Sequence, residues 1–406
     1  MTDSHRPEDN EDSLNTLIRA ITRSEGNFSL ILGRCNYTAL REQIVQQLRE
    51  QCPVQIREVV LEQSDKTLYT TIEAKLGQEK PAALMVFGLE SVNALEQVLS
   101  ATNRVREEFR NFAFPLVLWV TDEILQKLIR LVPDFHSWST TVEFAIASDE
   151  LIHFIQQTTD KVFAKVLDAD ASLFLDNAAL NLGIASPRRT ELESAHRELQ
   201  SYGVSLDPEL EASLEFVLGR DVDGSLEQSR QHYERSLDFW QQSDNLERRG
   251  CLLYYLGLWW RTYALGHRNE YEQACHRARD YFQESIEVFE QANRLDLVAK
   301  FINTLGDSLQ RLKRWDELEA VAKKALALHQ TNLKPHLEPF RLARAYGFLA
   351  ELALAKTNWG EAQKFAQLAL YLLENAETAV STPVSAEERV HLDWERSFHQ
   401  GWYLFS

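Results

Sequence analysis

The residue types best suited to chemistry sit in the turn Gly33-Arg34-Cys35-Asn36-Tyr37-Thr38. It follows an apolar run that reads as a buried strand and precedes an amphipathic run that reads as a helix. A phosphate-binding loop of this layout needs G-x-x-x-x-G-K-[ST]. Its glycines let backbone N–H groups converge on phosphate, and its lysine adds charge. Here Gly33 is present, but the second glycine and the Lys-Ser/Thr pair are absent. Thr38 is placed to cap a helix beginning at Ala39. The helix N-terminus still offers N–H groups and a positive dipole. The chemistry left is weak anion binding without efficient hydrolysis.

A second strand ends in "VFGLES", where magnesium binding would call for an acidic run. It supplies one acid, Glu90, displaced by Gly88 and Leu89. Glu90 reads either as a surface carboxylate at a strand end or as a residual metal or nucleotide contact. Arg106 either reaches a phosphate or belongs to a solvated helix face. Asp122, after "LWVT", reads as a helix cap. Asp134 and Trp138 read as fixing a tight turn, and His136 has no nucleophile or metal partner in view. The four cysteines form no C-x-x-C pair, and G-x-S-x-G and H-E-x-x-H are absent. The chain is therefore expected not to be an enzyme and to hold no metal or cofactor. The vestigial cofactor contacts would be Gly33, Arg34, Thr38, Glu90 and Arg106.

The elements that must position these residues alternate from 13 to 165. Helices begin at Ser13, read as an N-cap, and at Thr38, Thr67, Val92 and Glu123. Strands are expected at "FSLILG", "VQIREVVLE", "AALMVFGLE", "FPLVLWVTD" and "TTVEFAI". This alternation implies a mainly parallel sheet with helices on both faces. Residues 1–12, acidic and polar, read as a disordered tail. Beyond about 170 the strand pattern stops. Ser186 with Pro187, and Asp207 with Pro208, announce helix starts, and Gly203 and Gly219 announce stops. Residues 166–208 read as a helical connector and 209–406 as helical repeats.

Length and charge bound the partners. A chain of 406 residues has room for two or three domains. Its net charge of −18 repels phosphate backbones, so nucleic acid is not expected. The longest apolar runs fall short of the roughly 20 residues that span a bilayer. A reduced-cysteine, acidic chain is expected to be cytoplasmic.

The helical half carries a repeat. Tyr233–Gly257 and Phe282–Gly306 align without a gap, pairing Tyr233 with Phe282, Trp240 with Phe289 and Leu246 with Leu295. Ala322–Ala350 is a looser third copy. Leu305-Gly306, Trp315, Ala322 and Ala325 form one helix–turn–helix signature. Leu349-Ala350, Trp359, Ala362, Ala366 and Ala369 form another. These units resemble tetratricopeptide repeats, with a period longer than the standard of about 34 residues. The α/β half resembles the degenerate P-loop domain that precedes such repeats in bacterial STAND-type (AAA-like) signalling proteins, on the stretches at 29–48, 83–91 and 99–144. The implied fold class is α/β then all-α: a mainly parallel, three-layer P-loop-like sheet followed by a helical solenoid.

The repeat resemblance implies a concave, partner-facing surface. Aligned on Gly257, Gly306 and Ala350, it falls on Cys251, Tyr254, Leu258 and Arg261, then Lys300, Asn303, Asp307 and Gln310, then Arg344, Gly347 and Glu351. Tyr254, Arg261, Lys300, Asn303, Gln310 and Arg344 would then grip a peptide carboxylate or acidic segment. A solvated face with scattered charges remains the alternative. The C-terminal stretch from Ser385, with Trp394, Phe398, Trp402 and Phe405, reads as an amphipathic helix, either an end cap or a docking face. The expected function is a protein-binding scaffold or signalling adaptor with an inactive NTPase-like domain, its partner a protein or acidic peptide and self-association open. A nucleotide-dependent switch and a component of a larger effector complex are the alternatives.

Overall fold

The computed structural model describes residues 7–169, 177–183, 186–220, 225–331 and 338–379. Two compact units emerge: Met1–Ile155 with Ala185–Leu206, and Gln156–Ile184 with Asp207–Ser406. Residues 166–208, read from the sequence as a helical connector, are divided between the two units, so the chain passes between them more than once.

The first unit opens with α1 (Pro7–Arg23). Residues 7–12, expected in a disordered tail, are helical, and Ser13 lies inside the helix rather than capping it. Proline suits a first helical position. Asn10 anchors this turn, donating to the Ala145 carbonyl (2.8 Å) and accepting from the Ala145 amide (3.0 Å). There follow β1 (Ser29–Arg34), α2 (Thr38–Gln51), β2 (Ile56–Val60), α3 (Leu68–Leu76), β3 (Ala83–Phe87), α4 (Leu95–Arg104), β4 (Pro115–Val120), α5 (Asp122–Leu131), α6 (Pro133–His136), β5 (Ser139–Glu143) and α7 (Ser148–Val166), which continues into the second unit. Helix α8 (Pro187–Ser201) completes the first unit.

The five strands form one parallel sheet in the order β2-β3-β4-β1-β5. Every side chain of β4 is buried, as a central parallel strand covered on both faces requires. From β1 the chain crosses to the far edge at β2, then returns strand by strand. Right-handed crossovers running in opposite directions place their helices on opposite faces. Accordingly α1 and α2 pack on one face through Leu14, Leu17, Ile21, Ile44, Val45 and Leu48. Helices α3, α4 and α5 pack on the other through Leu68, Ile72, Val98, Leu99, Ile124 and Leu128. The three-layer arrangement matches the sequence expectation.

The second unit is helical: α9 (Pro208–Gly219), α10 (Leu226–Trp240), α11 (Leu246–Gly266), α12 (Tyr271–Gln291), α13 (Leu295–Arg311), α14 (Trp315–Thr331), α15 (Glu338–Ala355) and α16 (Trp359–Ala379). Each packs on the next, and α13 also touches α15. Small residues receive aromatic rings: Gly219 lies against Tyr233, Gly257 against Phe282 and Gly306 against Phe348. The expected helix starts are capped as read, Ser186 accepting from the Arg189 amide and Asp207 from the Glu209 amide. The expected helix from Ser385 lies outside the described residues. No helix among them is long and apolar enough to cross a membrane.

Candidate functional site

In an open parallel sheet, ligands bind at the carboxyl ends of the strands, where successive crossovers leave in opposite directions. Here that point lies between β1, whose chain leaves toward β2, and its neighbour β4, whose chain leaves toward β5. The residues just past these ends are Arg34 to Thr38 and Thr121 to Asp122.

Gly33 is not a loop glycine. It lies within β1, paired in register with Trp119 of β4. A Cβ at this position would come within 2.9 Å of the Trp119 indole, so glycine serves close packing rather than phosphate approach. Arg34 turns toward two carboxylates. Its Nε bonds Asp122 and its Nη1 meets Glu143 at 2.7 Å. The Asp122 bond raises the guanidinium pKa further. Burial pushes Asp122 upward, but the bonds from Arg34 and Asn36 outweigh it and hold the carboxylate below its usual range. Asp122 is therefore an ion-pair partner, not the expected cap. The cap of α5 is Thr121, whose hydroxyl accepts from the Ile124 amide.

Asn36, nearly buried, joins three segments. Its Oδ1 accepts from the Asp122 amide at 2.8 Å, and its Nδ2 donates to Glu198 of α8 at 2.6 Å. Thr38 does not cap Ala39. It is the first helical residue, after Tyr37 at the cap position, which makes no side-chain cap bond. The Thr38 amide, an orphan donor of α2, donates at 2.8 Å to Glu191 of the same α8. The crevice at the end of β1 is thus closed by two carboxylates of the protein's own helix. Burial raises the Glu198 pKa and that of the Tyr37 phenol. Cys35 is likewise a buried thiol pushed up to about 11, and so is not a nucleophile.

The remaining nucleotide candidates do not join this cluster. Gly88 has φ +84°, and a Cβ there would lie 2.9 Å from the Leu61 carbonyl, which explains glycine where an acid was sought. Glu90 pairs with Arg41 at 2.8 Å. Arg106 donates to the Asn103 carbonyl at 2.9 Å and faces Asp134 at 3.6 Å. Among the described residues no group of three or more His, Cys, Asp or Glu side chains is arranged to hold a metal ion.

In the helical unit the predicted groove residues are mostly engaged internally. Tyr254 is buried, packs against the tilted Phe301 ring and lies 3.3 Å from the Thr304 hydroxyl. Lys300 is only 4% exposed. Its Nζ donates to the Val166 and Asp168 carbonyls at 2.9 and 2.7 Å. Arg294 and Arg341 donate to the neighbouring carbonyls of Leu167 and Ala169. Cations on the end of α7 satisfy carbonyls that have no intrahelical partner. Lys300 thus grips a peptide backbone, but it is the protein's own. Asn303 donates to the Arg341 carbonyl, and Arg344 bonds Asp307 and Gln310. Arg261 is partly exposed. The structure brings Gln310 and Arg344 together, yet within an ion-paired seam rather than a cationic grip.

Sequence reasoning missed Asn36, Glu191 and Glu198. One signal was available: Glu191 and Glu198 stand seven residues apart, hence on one face of α8.

No protein-family model and no curated protein matches this sequence. Among solved structures, the crystal structure of BtubC (BKLC) from P. vanneervenii superposes with a TM-score of 0.40 at 16% identity, over 60% of this chain and 97% of that one. A superposition at that level carries no conclusion about fold or function.

Proposed function

We propose that this protein is a non-catalytic interaction scaffold: an NTPase-like α/β unit that does not hydrolyse nucleotide, and a tetratricopeptide-like helical unit that engages a protein partner. One observation carries the first half. The helix N-terminus that would receive phosphate already receives Glu191, with the Thr38 amide at 2.8 Å. A carboxylate there draws on the same amide and dipole as a phosphate oxygen. No lysine stands in the loop to outbid it. For the second half, support comes from the pairwise packing of α9 to α16, the α13–α15 contact and the glycine–aromatic seats. An acidic-peptide grip by Lys300 and Arg344 is not retained, because both are held internally.

A thermal-unfolding scan with Mg-ATP or Mg-GTP at millimolar concentration tests the first half. The midpoint is expected to stay in place. A nucleotide bound at 100 times its Kd adds about 2.7 kcal/mol to stability. A clear upward shift would make the α/β unit a nucleotide switch and overturn this reading. For the second half, the tagged full chain is compared with Arg261→Glu in co-purification. A partner lost with the variant supports binding at this surface, and recovery equal in both overturns it.

A further inference from the structure

The seam between α13 and α15 holds more acid than base. Asn303, Gly306, Asp307 and Gln310 share one face of α13, and Arg344, Phe348 and Glu351 share one face of α15. Phe348 seats on Gly306. The Arg344 guanidinium bonds Asp307 through Nε at 2.8 Å and Gln310 through Nη2 at 2.7 Å, and it lies 4.5 Å from the Phe348 ring centroid. Glu351 comes two turns further along. It is only 6% exposed, and its Oε1 meets no donor. An ionised carboxylate there would be largely stripped of water with one oxygen unpaired, which costs far more than burying the neutral acid.

We propose that Glu351 is a proton-sensitive residue of the helical unit: with its proton it lets α15 pack on α13, and its ionisation loosens that seam. Asp307 of α13 and Arg344 of α15 are the charged groups that act on it, and Gln310 faces it from α13. Burial pushes the Glu351 carboxyl up to about 7; Arg344 and a hydrogen bond with Gln310 pull it down, and Asp307 pushes it further up. Its folded value thus lies above its unfolded one of about 4.3. The native state binds the extra proton between those values. Stability of the seam is full below that window, falls as pH rises through it, and levels off above the folded value. This stands apart from the scaffold reading, since it holds whatever the helical unit binds.

The test is amide hydrogen exchange of α13 and α15 in the full chain, wild type against Glu351→Gln, from pH 5 to 8.5. Comparison at equal pH removes the intrinsic pH dependence of exchange. The ratio of variant to wild-type protection is expected to rise about tenfold per pH unit toward neutrality and then to level off. A ratio that stays flat across the range overturns the proposal. Carboxyl carbon NMR of glutamate-labelled wild type and of Glu351→Gln supplies a direct reading. A resonance titrating near neutral pH and missing from the variant supports the assignment. If the variant does not fold, the wild-type spectrum alone decides: glutamate resonances that all titrate below pH 5.5 overturn it.

Discussion

Glu191 accepts a hydrogen bond from the Thr38 amide at 2.8 Å across 153 positions of sequence. The contact joins the N-terminus of α2 to the N-terminal part of α8, so a side chain supplies what a bound anion would supply elsewhere. Replacing it should register as lost stability rather than lost activity. Glu191→Ala is expected to cost about 1–2 kcal/mol, the joint worth of a helix-terminus charge and one hydrogen bond. Glu191→Gln, which keeps an acceptor, should cost less. Urea denaturation measures both, and equal stability of all three proteins would show that the contact contributes nothing.

Asn36 is the more demanding position, because it uses both ends of its amide. Asn36→Ala leaves the Asp122 amide and the Glu198 carboxylate without that partner in a site that is nearly closed. The expected cost is about 2–3 kcal/mol. Asn36→Asp is expected to be worse near neutral pH, since it sets a carboxylate against Glu198. Lowering the pH should narrow the gap between the two variants, and thermal scans at two pH values would show whether it does.

Arg34 and Asp122 give the site its acid dependence. The folded pKa of Asp122 is depressed. Its contribution is therefore present above the unfolded value and lost as pH falls through the folded one. Asp122→Asn should destabilise the first unit at pH 7, and the difference should begin to close below about pH 4. A difference that stays constant down to pH 2 would mean the ion pair is not its source.

The sheet was legible because its strands carry their own signal. β3 and β4 are apolar on both faces, and only a covered parallel strand tolerates that. The helix starts at Ser186-Pro187 and Asp207-Pro208 were legible for a local reason, a capping side chain next to a proline. What misled were residues whose role is set by distant neighbours. Gly33 has the look of a loop glycine until Trp119 is laid beside it. Lys300 was assigned to a groove by its place in the repeat, and nothing local shows that the carbonyls of Val166 and Asp168 come to meet it. Glu191 and Glu198 were readable as a pair on one face, but not as the filling of a crevice formed 150 residues earlier in the chain.

Lys300 offers a direct contrast between a groove residue and a structural one. Lys300→Met keeps the apolar stem and removes the two bonds to the end of α7. A loss of about 2–4 kcal/mol is expected, because hydrogen bonds to a charged donor are worth more than neutral ones and the carbonyls stay behind. Hydrogen exchange should localise the effect to the last turn of α7. A variant as stable as wild type, with unchanged exchange there, would return Lys300 to the list of partner-binding residues.

The glycine–aromatic seats predict a coupling that only the helical packing explains. A Cβ on Gly306 would collide with the Phe348 ring, and one on Gly257 would lie 2.5 Å from the Phe282 ring. Neither glycine has a positive φ, so the demand is for space and not for backbone freedom. Gly306→Ala should gain slightly from helix propensity but lose about 1–3 kcal/mol to overpacking. Phe348→Leu opens the seat and carries its own cavity cost. In the double variant the alanine should then cost much less, giving a coupling of about 1 kcal/mol or more. Simple additivity of the two substitutions would mean that α13 and α15 do not meet at this seat.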